Sequence, residues 1–206
     1  MAAIDVLDPS AVRRWCAGAV AALASCRAEI DDLNVFPVPD GDTGTNLLLT
    51  LRAADDAVRS DPPGDLAVTV TSMARGAVLG AQGNSGVIVS QVLRGVAEVL
   101  ARGGDGRPAT GPAVAAALAR GAELAWAAVG APVEGTMLSV ISAAAQSAGR
   151  AGDGLPAVVG AAVRGAAAAL ERTPAQLPVL AAAGVVDAGG RGVLVLLQAL
   201  AAVVTS

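Results

Sequence analysis

Glycine and proline divide this chain into apolar, alanine-rich runs, each about three to five helical turns long, and that punctuation limits its fold more than any other feature. Hydrophobic residues make up 54% of the chain and aromatic ones only 1%. Small side chains in such quantity favour closely packed helices over β-sheet, where β-branched and aromatic residues dominate. A first helix starts at Asp8-Pro9-Ser10 and reaches about residue 30. A second covers about 46–59, stopped by Asp61-Pro62-Pro63-Gly64, and Asp65 caps a third that ends near 79. A fourth covers about 87–102, ended by "GGDGRPAT"; a fifth, about 112–129; a sixth follows "GAPVEGT" to about 148. The seventh spans about 155–171, with Pro174 and Pro178 breaking its continuation, and the last runs from about 193 to 203. Only "LAVTVTS" has the alternation of a strand. Eight helices joined by short loops imply an all-α fold, an antiparallel assembly in one domain of 206 residues.

Absent residues narrow the chemistry. All 14 basic residues are arginine; the chain has no lysine, histidine or tyrosine. That excludes a Ser-His-Asp triad, a lysine Schiff base, a histidine general base and the usual histidine-containing zinc sites. A net charge of −4 gives no electrostatic footprint for nucleic acid. Cys16 and Cys26 lie ten positions apart on one helix, too far to be bridged within it, and read as reduced core residues of a cytosolic protein. Arg13-Arg14 before "WCAGAVAALASC", with Leu23-Ala24-Ser25-Cys26, has the outline of a lipoprotein export signal. Asp5 and Asp8 upstream and the helical period of the run argue against it, so a cytoplasmic location is expected. No window offers the ~20 uninterrupted apolar residues of a membrane span.

Nearly all the remaining polar character sits in four loops, at 34–46, 80–86, 134–137 and 184–192. If helices alternate up and down, these loops fall at one end of the assembly. In "NVFPVPDGDTGTN", Asp40 and Asp42 flank a glycine that lets the chain turn and aim both carboxylates at one point, as Mg²⁺ requires of its oxygen ligands. A calcium EF-hand fails, because its glycine position is Thr45 and its terminal glutamate position is Leu51. The same residues also fit a plain turn in which Asp42 or Thr43 caps the next helix. "GAQGNSG" reads either as a phosphate cradle at a helix N-terminus or as a turn capped by Asn84 or Ser85. It lacks the lysine of a Walker A loop. Glu134, Gly135 and Thr136 can cap a helix; Asp187 can cap the last one, with Arg191 a solvated charge or a phosphate contact. Gathered on one rim, the loops make an acidic site that accepts phosphate only with metal ions present, so a metal–nucleotide site is expected.

In order and spacing, "LNVFPVPDGDTGTN", "GAQGNSGVIVSQ", "PVEGTML" and "GVVDAGGRG" resemble the nucleotide-binding (DhaL-like) domain of the dihydroxyacetone kinase family. The resemblance is closest to the branch that forms the N-terminal domain of bacterial fatty acid kinase catalytic subunits, and it covers about residues 13–203. It implies a barrel of eight antiparallel helices with ATP and two Mg²⁺ ions at one end. On that resemblance Asp40 and Asp42 are the metal ligands on which catalysis depends, with Asn34 near a further ligand position. Thr43, Thr45 and Asn46 line the same pocket; Gly83, Asn84, Ser85 and Gly86 hold phosphates; Thr136, Met137, Asp187, Gly189 and Gly190 border the nucleotide. Gln82 stands where an arginine is common, and Arg191, where glutamine or lysine is common, partly compensates.

The activity implied is transfer of the γ-phosphoryl group to a fatty acid carboxylate carried by a separate acyl-binding protein, giving an acyl phosphate. A carboxylate is already a nucleophile, so the missing general base is no obstacle. Phosphorylation of dihydroxyacetone and a nucleotide-sensing module without catalysis are the alternatives. Neither kinase branch carries its acceptor site in this domain, so half an active site is expected. Fatty acid kinases continue well beyond this domain, so both a longer native protein and a stand-alone domain remain open, as does a homodimer. No nucleic acid partner is expected.

Overall fold

The computed structural model describes residues 3–62, 64–103 and 107–206. Pro63 of the second break and residues 104–106 of the "GGDGRPAT" break lie outside the described residues. Helix starts follow from short-range chemistry. Asp8 accepts the N–H of Ala11 at 2.7 Å and Pro9 takes the first helical position, so α1 runs Pro9–Asp32. Helix α2 is Thr43–Ser60. Asp65 accepts the N–H of Val68 at 2.9 Å and opens α3, Leu66–Leu79, so the strand-like "LAVTVTS" is helical. Then come α4, Gly83–Leu100, a 3₁₀ turn Ala101–Gly103, α5, Gly111–Ala127, and α6, Met137–Gly149. Helix α7 is Leu155–Gln176, α8 is Pro178–Ala183 and α9 is Ala188–Thr205. Among the described residues the only β pairing is an isolated bridge between Leu7 and Ala109.

Two expectations about proline breaks change. Pro174 does not end α7, which continues through it to Gln176. Proline strips the carbonyl four residues back of its partner. Here that carbonyl, Leu170 O, accepts the Thr173 hydroxyl at 2.7 Å instead. Pro178 opens the short α8 at its first position, where a missing N–H costs nothing, so nine α-helices are present among the described residues where eight were expected. The eight long ones each pack on their chain neighbours, α7 passes to α9, and α9 returns to α1, which closes a ring.

Small residues and two tryptophans hold the ring together. A Cβ on Gly95 of α4 would stand 2.5 Å from the Gly121 Cα of α5, so these helices touch backbone to backbone. The Trp15 indole donates to Leu196 O at 3.0 Å, joining α1 to α9, and Trp126 donates to Ser142 Oγ at 2.6 Å, joining α5 to α6. Leu23, Ile30, Leu47, Met73, Leu93, Leu155 and Leu200 are fully buried within it. Each such side chain contributes about 1.5–3 kcal/mol by leaving water. Helix α9 is long and apolar enough to cross a membrane, yet 61% of it is buried in the ring, as befits a core helix. Both cysteines are free; burial, reinforced by Asp55, pushes the Cys16 thiol up to about 12 and leaves it unreactive.

Candidate functional site

Because the long helices alternate in direction, the N-termini of α2, α4, α6 and α9 gather at one end of the ring, and a cleft of about 500 Å³ opens among them. All four polar loops reach it. From the first come Asn34, Asp40, Asp42, Thr43 and Asn46; from the second, Gly83, Asn84 and Ser85. Thr136 and Met137 arrive from the third, Asp187 and Gly189 from the fourth. No basic side chain lines the cleft among the described residues.

The acidic loop crosses between α1 and α2 with a cis peptide bond at Phe36–Pro37. Gly41 adopts φ +67°, a conformation that L side chains rarely take, and so places the turn between the two carboxylates. Asp40 is exposed, and its Oδ1 accepts the Nδ2–H of the buried Asn34 at 2.6 Å. The oxygen that Asn34 keeps for a ligand is therefore its amide carbonyl. Asp42 occupies the N-cap position of α2, but its side chain makes no capping bond, so its carboxylate is uncommitted. Two carboxylates and an amide oxygen suit a hard cation that completes its shell with water or phosphate. Among the described residues no three histidine, cysteine, aspartate or glutamate side chains cluster.

The four helix ends differ in how their N–H groups are used. Asp187 caps α9, accepting the Gly190 N–H at 2.7 Å, and Thr136 caps α6 through Leu138 N–H at 3.4 Å. Helix α4 has no side-chain cap; Gln82 precedes it and gives its own N–H to Thr50 Oγ1 at 3.1 Å. Its first turn, Gly83-Asn84-Ser85, therefore presents free donors and the positive end of the helix dipole to the cleft. Asp187 is buried, 5% exposed, and that burial raises its carboxyl to about 6 against the pull of the Gly190 and Met137 N–H groups.

Three residues expected in the pocket lie outside its lining. Thr45 turns toward α1, with its N–H and hydroxyl both given to Asp31 at 2.9 Å. Gly86 packs on Thr50, and Gly190 on Val140 and Leu170. Arg191, read as compensating for Gln82, pairs with Glu29 at 2.8 Å instead and does not reach the cleft. Phe36, Ile88 and the stretch Ala128–Val129–Gly130–Ala131 supply an apolar wall that sequence reading missed. The signal was slight: the wall directly precedes "PVEGT", but its residues are as plain as those of the core.

A family model for the DAK2 domain matches residues 37–202. Protein YloV of Bacillus subtilis (strain 168) is 40% identical over 175 residues, which cover 84% of this chain and 31% of that protein. An uncharacterized protein of Staphylococcus saprophyticus is 37% identical over 169 residues, 81% of this chain and 30% of the relative. The chain thus spans under a third of the length of these relatives. Among solved structures, the dihydroxyacetone kinase of C. freundii in complex with AMP-PNP and Mg²⁺ matches with a TM-score of 0.68 over 93% of this chain and 33% of that one. Its native form matches with 0.71 over 98% and 36%, both at 22% identity, a likeness of fold.

Proposed function

The chain belongs to the DAK2 domain family, and on that premise we propose that it is the Mg·ATP-binding half of a kinase active site. One observation carries the reading: Asp40 and Asp42 share a cleft, free of basic side chains among the described residues, with the uncapped N-terminus of α4. Anionic phosphate enters such a site only if a cation comes with it.

Asp40 and Asp42 would hold the cation, with Asn34 fixing Asp40 through its amide and offering its carbonyl. The N–H groups of Gly83, Asn84 and Ser85 take phosphate oxygens. Thr43 and Asn46 line the floor, and the wall of Ile88, Val129 and Met137 gives the nucleotide an apolar face that keeps water away. Thr136, Asp187 and Gly189 complete the lining. Mg²⁺ held there, two ions on this reading, would supply neutralisation of the phosphate charge. The acceptor is a fatty acid carboxylate presented by a separate acyl-binding protein: its oxygen forms the new P–O bond, the β–γ bridging bond breaks, and no proton has to be removed. The absence of lysine and histidine is then no handicap. A cytoplasmic location is part of the same reading.

Titration calorimetry with Mg·ATP is the direct test. Asp40→Ala and Asp42→Ala should each abolish binding, as should chelation of Mg²⁺; unchanged affinity in both variants overturns the proposal. The fold likeness to the C. freundii enzyme favours a second reading, phosphorylation of dihydroxyacetone. Phosphoryl transfer assayed with a fatty-acid-loaded acyl-binding protein and with a dihydroxyacetone-binding subunit separates the two. Mg·ATP binding with transfer to neither marks a nucleotide-sensing module.

A further inference from the structure

Helix α2 begins with an anomaly. Its N-cap residue, Asp42, is of a type that readily caps helices, yet it makes no capping bond, and its backbone (φ −121°, ψ 0°) is not the extended one of a capping residue. The N–H that Asp42 would ordinarily take, that of Thr45 at the third helical position, is nevertheless satisfied. It donates to Asp31 Oδ1 at 2.9 Å, from the last turn of α1. The Thr45 hydroxyl donates to Asp31 Oδ2 at 2.9 Å, and Arg27 pairs with the same oxygen at 2.8 Å. Asp31 thus has both carboxylate oxygens engaged and only 11% of its side chain exposed.

Gly44 makes the arrangement feasible. A Cβ there would stand 2.4 Å from Arg27 O and 3.0 Å from Asp31 Oδ1, so any other residue would push α1 away from the start of α2. The approach of the two helices is close enough for a carboxylate on one to cap the other.

We propose that Asp31 is a positioning residue that caps α2 in place of Asp42 and thereby frees the Asp42 carboxylate to hold a divalent cation in the cleft. This rests on the Mg·ATP reading for what Asp42 does, but not for the exchange of caps. With Asp31 gone, the orphaned first turn of α2 can take the carboxylate at its own N-cap position, that of Asp42. A carboxylate engaged in capping must be withdrawn before it can ligate.

A double-mutant cycle on thermal stability tests the exchange without nucleotide or metal. In wild type, Asp42→Ala should shift Tm little, because its side chain caps nothing. In an Asp31→Ala background the same change should lower Tm by about 2–4 °C, the value of a cap in a chain of this size. Additive shifts overturn the proposal. Calorimetry with Mg·ATP then reads the consequence. Asp31→Ala should bind about fivefold more weakly, the equivalent of one helix cap. Asp31→Asn, whose amide oxygen still accepts the Thr45 N–H, should bind within about twofold of wild type. If Asp31→Ala is too unstable to study, Asp31→Asn decides alone: a fivefold or greater loss of affinity there, with the Thr45 N–H still accepted, overturns the proposal. Should wild type and Asp42→Ala bind Mg·ATP alike, the nucleotide reading fails while the stability cycle still decides the exchange of caps.

Discussion

At the first turn of α9, Asp187 is both a cap and a buried charge. Its position before "AGG" at the end of a break identifies the cap from sequence alone, whereas its burial depends on Thr173 and Met137, which the fold brings from elsewhere. Burial raises the carboxyl from 3.8 to about 6. Between those two values the folded chain binds more protons than the unfolded one, so this group's contribution to stability falls as pH rises from about 4 to about 6 and is level above. Asp187→Asn keeps an oxygen for the Gly190 N–H and has nothing to titrate. Urea melts should therefore show the variant gaining on wild type by on the order of 2 kcal/mol between pH 4 and pH 7. A constant difference across that range would show an unperturbed carboxyl. Asp40 and Asp42 were legible because a glycine between carboxylates is rare in so plain a chain. Asp31 was not, since its role exists only where α1 and α2 touch.

Helix interiors were read correctly from alanine content, but the ends were not, and the reason is the same at α4 and α9. "GNSG" and "AGGRG" look like loop, yet both are first helical turns, beginning at Gly83 and Ala188. Glycine there is weak helix former and close-packing element at once, and only the packing decides. Pro174 poses the converse case, a breaker inside a helix, and Thr173 explains it. The fully buried Thr173 hydroxyl donates to Leu170 O and accepts the Asp187 N–H at 3.1 Å, so one side chain repairs α7 and anchors the start of α9. Thr173→Val keeps the shape and leaves both groups unpaired. Urea denaturation should record a loss of about 2–3 kcal/mol, the cost of orphaned buried polar groups. A loss below about 0.5 kcal/mol would mean that α7 tolerates Pro174 unaided.

At the scale of the molecule, the placement of the site depended on parity alone. Loops one, three, five and seven share an end if helices alternate, and the unforeseen α8 left that intact because its six residues sit at the same end, between α7 and α9. The same end carries apolar side chains that the core does not claim. Leu79 closes α3 at 80% exposure; Val38, Val87 and Val133 stand exposed along the cleft; and Val179 lies on α8. Sequence could not single these out, because in an alanine-, leucine- and valine-rich chain an exposed valine looks like a buried one. An apolar rim around a polar cleft is what a partner delivering an acceptor would cover, and Leu79 is the most exposed of these side chains. Leu79 does not line the cleft, so Leu79→Glu should leave Mg·ATP affinity unchanged. If the acceptor arrives on an acyl-binding protein, as proposed, the same substitution should raise KM for that protein by about tenfold in steady-state transfer, with kcat held. An unchanged KM would place the partner elsewhere on the ring, and a parallel loss of nucleotide binding would show that Leu79 supports the cleft itself.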